Sequence, residues 1–189
     1  MELKDALRAR HSVRVFAKEP LEESVVRKML EYASLAPSTF NLQPWHFHVA
    51  TGAARDAVNE VMAQTTQYLQ EYVEALGASA VDHAARFYAD LGGAPVVIGI
   101  SAPVIEDPLI DQSNICLSIG ACIENLLLLA AERGLGACNL TVPRWVASDL
   151  LQTFRVPEGR ELVSILVLGV PDETPVDRQH NSDVISWLR

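Results

Sequence analysis

The chain has 189 residues, a formal net charge of −9 at pH 7, 49% apolar residues and 21% charged residues. These values predict one soluble globular domain spanning residues 1–189, large enough to bury a core, and they exclude a disordered chain. The negative charge argues against nucleic acid or an anionic membrane as the main partner. No apolar run is long enough to span a bilayer, and residues 1–10 lack the apolar stretch of a signal peptide, so we expect a cytoplasmic protein.

The hydrophobic pattern predicts helices that alternate with a few strands. The expected helices cover residues 2–8, 20–36, 53–91 with a break at Gly77, 110–131 and 144–154, and the expected strands cover residues 45–50, 94–100, 138–142 and 162–170. The tail, residues 175–189, is expected to be extended and then briefly helical. Few strands, many helices and no regular βαβ repetition favour an α+β sandwich over a Rossmann fold.

The strand predicted at residues 45–50 alternates in character. Trp45, Phe47 and Val49 fall on one side, and His46 and His48 fall on the other. The strand is therefore expected to be half-buried, with the two histidines at the surface or in an interface.

The helix predicted at residues 110–131 is apolar on nearly every face. Such a helix is either wholly buried inside one subunit or shared between two subunits. The second alternative would make the protein a two-fold dimer.

The cysteines and histidines show neither disulfide nor metal-site spacing. No CxxC pair is present, so we expect buried, reduced thiols at Cys116, Cys122 and Cys138. His83 is isolated from other ligand types, and no metal is predicted. The sequence also lacks the GxGxxG fingerprint of a dinucleotide fold and the Gly-x-Ser-x-Gly context of a serine hydrolase.

The first segment whose side chains could form a binding site is RHSVR at residues 10–14. If it is extended, Arg10, Ser12 and Arg14 fall on one side, and Val13 and Val15 fall on the other and anchor in the core. Two guanidinium groups and a hydroxyl suit a phosphate monoester or the polar edge of a flavin. A solvated basic helix end explains this segment alone more simply.

The second segment is the loop APSTFNLQPW at residues 36–45, between a helix and a strand. Ser38, Asn41 and Gln43 supply both donors and acceptors, which suits the mixed C=O and N–H groups of a flavin's pyrimidine edge. Ordinary turn chemistry also uses Ser, Asn and Pro, so this loop alone is only suggestive.

The two segments together are specific, because an RxSxR segment followed by APSxxNxQPWxF resembles the N-terminal half of the nitroreductase family of FMN enzymes. The helix at 111–131 followed by GLGAC at 134–138 is similar to the family's long central helix and turn. LGVP at 168–171 is similar to its last core strand and turn. The resemblance covers most of the chain, and only residues 53–91 are unmatched.

The resemblance implies a fold and a set of cofactor contacts. The fold is an α+β sandwich with a mostly antiparallel central sheet flanked by helices, forming an obligate homodimer with FMN at the subunit interface. On one chain, the resemblance assigns Arg10, His11 and Ser12 to the FMN phosphate and ribityl chain, Arg14 to the N1–O2 edge of the ring, Leu140 and Thr141 to the ring near N5, and Arg178 to the phosphate pocket. On the partner chain, it assigns Pro37, Ser38, Asn41 and Gln43 to the same FMN.

The chain departs from the family pattern at several positions. Asn139, Thr141 and Val142 stand where a proline, an acidic residue and a glycine are common, and Asp177 stands where a second cation is common. A polar pair that some members bring from the middle region has no clear equivalent here, and Arg86 is a substitute candidate.

The activity that the resemblance implies is an FMN-dependent NAD(P)H oxidoreductase with a ping-pong cycle. NADH or NADPH passes hydride to flavin N5, and a nitroaromatic, quinone or similar small oxidised acceptor takes it up. The flavin carries the redox chemistry, so no catalytic side chain is named. Trp145 lies near the expected flavin edge and is expected mainly to pack.

Three other functions remain open from the sequence. One is a member of the same fold that remodels its flavin, uses oxygen or dehalogenates. The others are a flavin-binding protein without turnover and a helical scaffold without a cofactor.

Overall fold

The computed structural model describes residues 1–106, 109–174 and 180–188. Seven α-helices lie in these residues: α1 (Leu3–Ala9), α2 (Glu23–Ala33), α3 (Gly52–Ala63), α4 (Val73–Leu76), α5 (Ala78–Asp90), α6 (Gln112–Glu132) and α7 (Ala147–Thr153). The strands of the described residues are β1 (His46–Thr51), β2 (Val96–Pro103), β3 (Gly136–Thr141) and β4 (Arg160–Gly169). Short 3-10 helices at Thr39–Asn41, Gln64–Tyr72 and Leu91–Gly93 complete the secondary structure.

The four strands form one sheet in the order β1-β2-β4-β3, and each neighbouring pair is antiparallel. Helices cover both faces of the sheet, so β2 and β4 carry continuous apolar runs. On one face Ile98 and Leu166 pack with α2 and α6, and on the other Val97 and Val167 pack with α3, α5 and α7. This architecture confirms the predicted α+β sandwich with its antiparallel central sheet.

Helix α6 is the longest helix of the described residues. Asp111 caps its N-terminus by accepting a hydrogen bond from the Ser113 amide at 2.7 Å. Ile119 and Leu126 are buried on one side of α6, whereas Leu117 on the other side is 73% exposed. By length and composition alone α6 could cross a membrane, but its buried side packs on α2 and the sheet. The helix is therefore not wholly buried within one chain.

Several predicted boundaries and burial assignments differ from the structure. Helix α2 begins at Glu23 rather than near Pro20, because Glu22 is extended. The described part of the tail, residues 180–188, contains no helix. Cys116 is exposed, since it lies next to Leu117 on the outer side of α6.

The burial of side chains in β1 also differs from the prediction. Val49 is 45% exposed because β1 is an edge strand, while Ala50 is buried. His48 is partly buried, and its Nε2 shares a hydrogen bond of 2.9 Å with the Ser101 hydroxyl. It is therefore a structural residue rather than a surface histidine.

Candidate functional site

The RHSVR segment lies along the outer side of β3. Ser12 bridges Ala137 in parallel, and the Val13 amide donates to the Ala137 carbonyl at 3.0 Å. Phe16 then bridges Pro171 in antiparallel fashion, and its amide donates to the Gly92 carbonyl at 2.9 Å. The segment changes partner between these bridges, so it is not a regular strand.

This change of partner makes the predicted alternation wrong at Val15. Val13 is buried as expected, but Val15 is 45% exposed and Phe16 is buried in its place. The two-residue period applies only along a continuous strand.

Two glycines allow the segment to approach its neighbours closely. A Cβ on Gly136 would lie 2.8 Å from the Val13 side chain, and a Cβ on Gly92 would lie 2.0 Å from the Arg14 carbonyl oxygen. Neither position tolerates a side chain without displacing the segment. Gly92 also has a left-handed backbone conformation, with φ of 64°.

A cavity of about 1240 Å³ opens beside this segment; we call it the Arg14 cavity. The RHSVR segment and β3 contribute four of the predicted cofactor residues to its wall, namely His11, Ser12, Arg14 and Leu140. The opposite wall comes from α5 and the residues before it, including Leu76, Ser79, His83, Arg86, Tyr88 and Asp90. Glu173 and Thr174 also line the cavity.

Arg14 supplies a positive charge to the cavity. Its backbone amide donates to the Glu173 carboxylate at 2.5 Å, and its Nη1 donates to the Ser12 carbonyl at 3.3 Å. No carboxylate of the described residues lies within salt-bridge distance of the Arg14 guanidinium. The group can therefore still pair with an anionic or electron-rich ligand.

Tyr88 is the half-buried aromatic residue of the opposite wall. Burial raises the pKa of Tyr88 above its ordinary value, Cys138 adds to the increase, and Arg14 opposes it. The phenol is therefore neutral at physiological pH, so it can donate as well as accept a hydrogen bond.

Arg10 and His11 have partners of their own. The Arg10 Nε lies 3.5 Å from the Glu124 carboxylate on α6, and Arg10 is not part of the cavity wall. The Nδ1 of His11 is 2.9 Å from the Ala9 carbonyl, which requires Nδ1 to carry the proton. Its Nε2 remains for another partner.

The end of β3 is held by a buried hydroxyl. The Ser164 Oγ lies 2.8 Å from the Leu140 carbonyl and 2.5 Å from Oδ1 of Asn139. A serine hydroxyl has one proton, so it donates to only one of these oxygens. Donation to the Leu140 carbonyl leaves Ser164 Oγ free to accept from the amide group of Asn139 in its flipped orientation. Thr141, the last residue of β3, is exposed and does not line the cavity.

The loop at residues 37–44, here called the amide loop, has a strained backbone. Phe40, Asn41 and Gln43 have positive φ values of 48°, 56° and 47°. A residue other than glycine costs about 1–3 kcal/mol in such a conformation, unless asparagine or a similar polar side chain lowers the cost. Strain of this kind persists only where surrounding contacts impose it, and it is concentrated at functional sites.

Hydrogen bonds hold the amide loop in this shape. The Gln43 amide donates to the Ser38 hydroxyl at 2.9 Å, and Gln43 Nε2 donates to Asn41 Oδ1 at 3.3 Å. The Thr39 amide donates to the Ser118 hydroxyl of α6 at 3.1 Å, which fixes the loop on that helix. These bonds tie residues of the loop to one another and to α6.

The structure brings together only part of the predicted set. His11, Ser12, Arg14 and Leu140 share the Arg14 cavity, whereas Arg10 and Thr141 lie beside it in the chain without lining it. The amide-loop residues Pro37, Ser38, Asn41 and Gln43 do not line the cavity either, and their loop is joined to α6 of the same chain through Thr39. Arg178 lies outside the described residues.

Sequence reasoning missed most of the α5 wall. Ser79, His83, Arg86 and Asp90 follow helical spacing on one side of α5, and all four line the cavity. This polar stripe was visible in the sequence, but only the fold shows that it faces Arg14. Of these residues, only Arg86 had been considered as a cofactor contact.

Trp145 is held by other side chains. Its ring stacks on Tyr68 with centroids 5.0 Å apart and an interplanar angle of 4°, and Tyr72 meets it edge-on at 5.9 Å. The Arg144 guanidinium lies 5.0 Å from the ring centroid. Trp145 therefore packs the segment after β3 against residues 68–72, as expected.

Comparison with known proteins identifies the family. The family model described as "Nitroreductase family" matches residues 7–170. A 4-nitrobenzoate reductase of Nocardioides sp. (strain LMS-CY) is 29% identical over 207 residues, covering 91% of this chain and 82% of that protein.

Two solved structures share the fold over nearly the whole chain. A BluB-like flavoprotein of Clostridium difficile 630 has a TM-score of 0.80 and 25% identity, with both chains covered completely. The FMN-dependent nitroreductase NfnB of Mycobacterium smegmatis, solved with NADPH, has a TM-score of 0.77 and 22% identity, with 98% and 97% covered. Together with the family match, they confirm the resemblance found in the sequence. The chain belongs to the nitroreductase family.

Proposed function

We propose that this protein is an FMN-dependent NAD(P)H oxidoreductase, which uses NADH or NADPH to reduce a nitroaromatic, a quinone or a similar small oxidised acceptor. The observation that carries the proposal is the Arg14 cavity, where a guanidinium without a carboxylate partner among the described residues meets Ser12, His11 and Leu140. Support comes from the solved relative that is FMN-dependent and holds NADPH. Bound FMN would supply the hydride-transfer chemistry at its N5 atom.

The residues present fit such a cofactor. The cavity of about 1240 Å³ exceeds the roughly 300–1,000 Å³ usual for a small-molecule site, so a flavin leaves room for a second reactant. Arg14 would stabilise negative charge on the reduced ring edge, because a fixed cation is most effective where charge develops. The Ser12 hydroxyl would donate to the phosphate, and the Nε2 of His11 would accept from a hydroxyl of the ribityl chain.

The proposed site needs two chains. The amide loop lies outside the cavity of its own chain, so its contacts with FMN would come from a partner subunit. Phe40 at 79% and Leu117 at 73% exposure form an apolar surface around the contact between the amide loop and α6. A two-fold dimer with these residues at its interface would bury them.

The test combines spectroscopy with mass measurement. The purified protein should show the two visible and near-UV bands of FMN, and NADH or NADPH should bleach them under anaerobic conditions. A nitroaromatic or quinone should restore the bands, and light scattering should give twice the mass of 20.7 kDa. A colourless folded protein that takes up no added FMN would refute the proposal.

The same experiment separates the other functions. Bound FMN that neither nicotinamide reduces would indicate a binding protein without turnover. Reduced flavin that reacts with oxygen and with no other acceptor, or FMN that is consumed, would indicate the oxygen-using or flavin-remodelling alternative. We also propose that residues 1–189 form a single domain and that the protein is cytoplasmic.

A further inference from the structure

Arg160, the first residue of β4, binds three acceptors at the base of the amide loop. Its Nε donates to the Ser101 hydroxyl at 3.0 Å, and its Nη2 lies 2.8 Å from the Ser101 carbonyl and 2.7 Å from the Pro44 carbonyl. Ser101 is fully buried on β2. One guanidinium therefore joins β4, β2 and the last residue of the loop.

A β-bulge lies beside Ser101 in the pairing of β2 with β4. Ile100 pairs with Ser164 while Ser101 pairs with Leu162, so the register omits Val163. A bulge interrupts the ladder of backbone hydrogen bonds and changes the direction of nearby side chains. Arg160 donates to the Ser101 carbonyl beside this bulge, and His48 shares the Ser101 hydroxyl at 2.9 Å.

The contact with Pro44 matters because the amide loop is strained at its C-terminal end. Gln43, the residue before Pro44, has a φ of 47°, and Pro44 has no amide hydrogen of its own with which to anchor the backbone. The N-terminal end is held on α6 by the Thr39 amide. The bond from Arg160 to the Pro44 carbonyl holds the other end on the sheet.

We propose that Arg160 is a positioning residue: it fixes the C-terminal end of the amide loop on the sheet, so that Asn41 and Gln43 are preorganised to bind the partner subunit's flavin. This inference rests on the proposed function for the identity of the ligand. Arg160 does not line the Arg14 cavity, so it acts through the loop. The planar guanidinium group of arginine can donate to several acceptors at once, so it suits this positioning role better than the ammonium group of a lysine would.

The test uses the full-length Arg160→Gln variant. Hydrogen exchange of the amides in residues 41–43 should become at least about tenfold faster, since local opening no longer breaks a charged hydrogen bond. FMN affinity should fall by about tenfold, the loss expected when one strong contact is removed. At saturating FMN, the visible absorption band should shift, because the loop then binds the pyrimidine edge differently.

Arg55→Gln is the matched control for the exchange measurement. The Arg55 guanidinium also donates to two backbone carbonyls, those of Ala94 at 2.9 Å and of Asp90, but it holds the turn before β2 instead of the amide loop. The Arg55→Gln variant should lower thermal stability about as much as Arg160→Gln does, and it should leave the amide exchange of residues 41–43 unchanged. If Arg160→Gln fails to fold, Ser101→Ala should give a smaller change in the same direction, because it removes only one of the three acceptors.

The outcomes separate this inference from the proposed function. Wild-type protein that takes up no FMN refutes the proposed function, while the exchange comparison still tests the hold of Arg160 on the loop. Wild-type protein that binds FMN, together with a folded Arg160→Gln variant of equal affinity, spectrum and loop exchange, refutes the inference alone. Equal acceleration of loop exchange in both arginine variants also refutes it.

Discussion

Gly92→Ala should lower both the thermal stability and the affinity for FMN, because the backbone of Gly92 packs directly against the backbone of Arg14. The added Cβ would lie 2.0 Å from the Arg14 carbonyl oxygen and 2.8 Å from its carbonyl carbon. Real Cβ contacts essentially never fall below 3.0 Å, so the oxygen must move by at least about 1 Å. Backbone cannot rotate away as a side chain can.

The magnitude follows from two contributions. Alanine at a φ of 64° costs about 1–2 kcal/mol. When the Cβ pushes the two segments apart, the hydrogen bond from the Phe16 amide to the Gly92 carbonyl also breaks. This bond is 2.9 Å long in the wild type, and its loss costs about 0.5–1.5 kcal/mol. The sum is about 1.5–3.5 kcal/mol, and for a domain of this size it corresponds to a loss of about 3–14 °C in Tm.

The assay compares Gly92→Ala with Gly134→Ala. Gly134 has a similar φ of 69°, but no atom lies within 4 Å of the added Cβ, so this control carries the conformational cost alone. Thermal unfolding should show the larger loss for Gly92→Ala, and FMN titration should show a loss of affinity only there, because Arg14 is displaced. Equal Tm values and equal FMN affinities for the two variants would refute the reasoning.

Three further predictions concern single side chains. Arg14→Gln should weaken FMN binding by about tenfold or more without lowering Tm, as measured by fluorescence titration and thermal unfolding, since it removes a charge that makes no salt bridge among the described residues. Ser164→Ala should cost about 1–3 kcal/mol in urea unfolding, because the Leu140 carbonyl loses its hydroxyl partner. Burial lowers the pKa of His48, with His46 and Arg160 adding to the decrease and a backbone hydrogen bond with Phe154 opposing it. Unfolded His48 thus binds a proton more readily than the folded form, so stability should decrease as pH falls from the ordinary pKa of 6.5 toward the lowered folded value. His48→Gln should remove that part of the pH dependence, and an unchanged profile would contradict the assignment.

The sequence predicted the fold class and the approximate position of every strand because both depend on local periodicity. The break at Gly77 was also correct, and the residue has a φ of 82° between α4 and α5. The error at Val15 arose because the segment changes partner between Ser12 and Phe16, so the two-residue period does not continue through it. The error at Val49 has a different origin. Alternation tells which residues share a side, but the sheet order decides which side is buried, and β1 is an edge strand with one neighbour.

The site was predictable where the residues are close in sequence. Ser12 and Arg14 line one cavity as their two-residue spacing suggested, whereas Arg10 of the same spacing does not, and His11 lines it instead. Their contacts with FMN stay a prediction. The polar stripe on α5 was not predictable, because nothing local shows that Arg86 and Asp90 face the RHSVR segment. The network of Arg160 was also hidden, since Ser101 and Pro44 are distant from it in sequence and only the fold brings them to one guanidinium.

The geometry of α6 explains why one chain would not complete the proposed site. The amide loop is fixed at Ser118, whereas Arg10 pairs with Glu124 six residues further along the same helix. At 1.5 Å per residue, these anchors are about 9 Å apart along the axis. The side of α6 that carries Leu117, next to the first anchor, is exposed. A two-fold axis near that exposed side would carry each amide loop toward the Arg10 end of its partner. Leu117→Glu should therefore weaken the dimer and FMN retention together, as followed by light scattering and flavin absorbance. A monomeric Leu117→Glu variant that keeps FMN with unchanged affinity would show that one chain suffices.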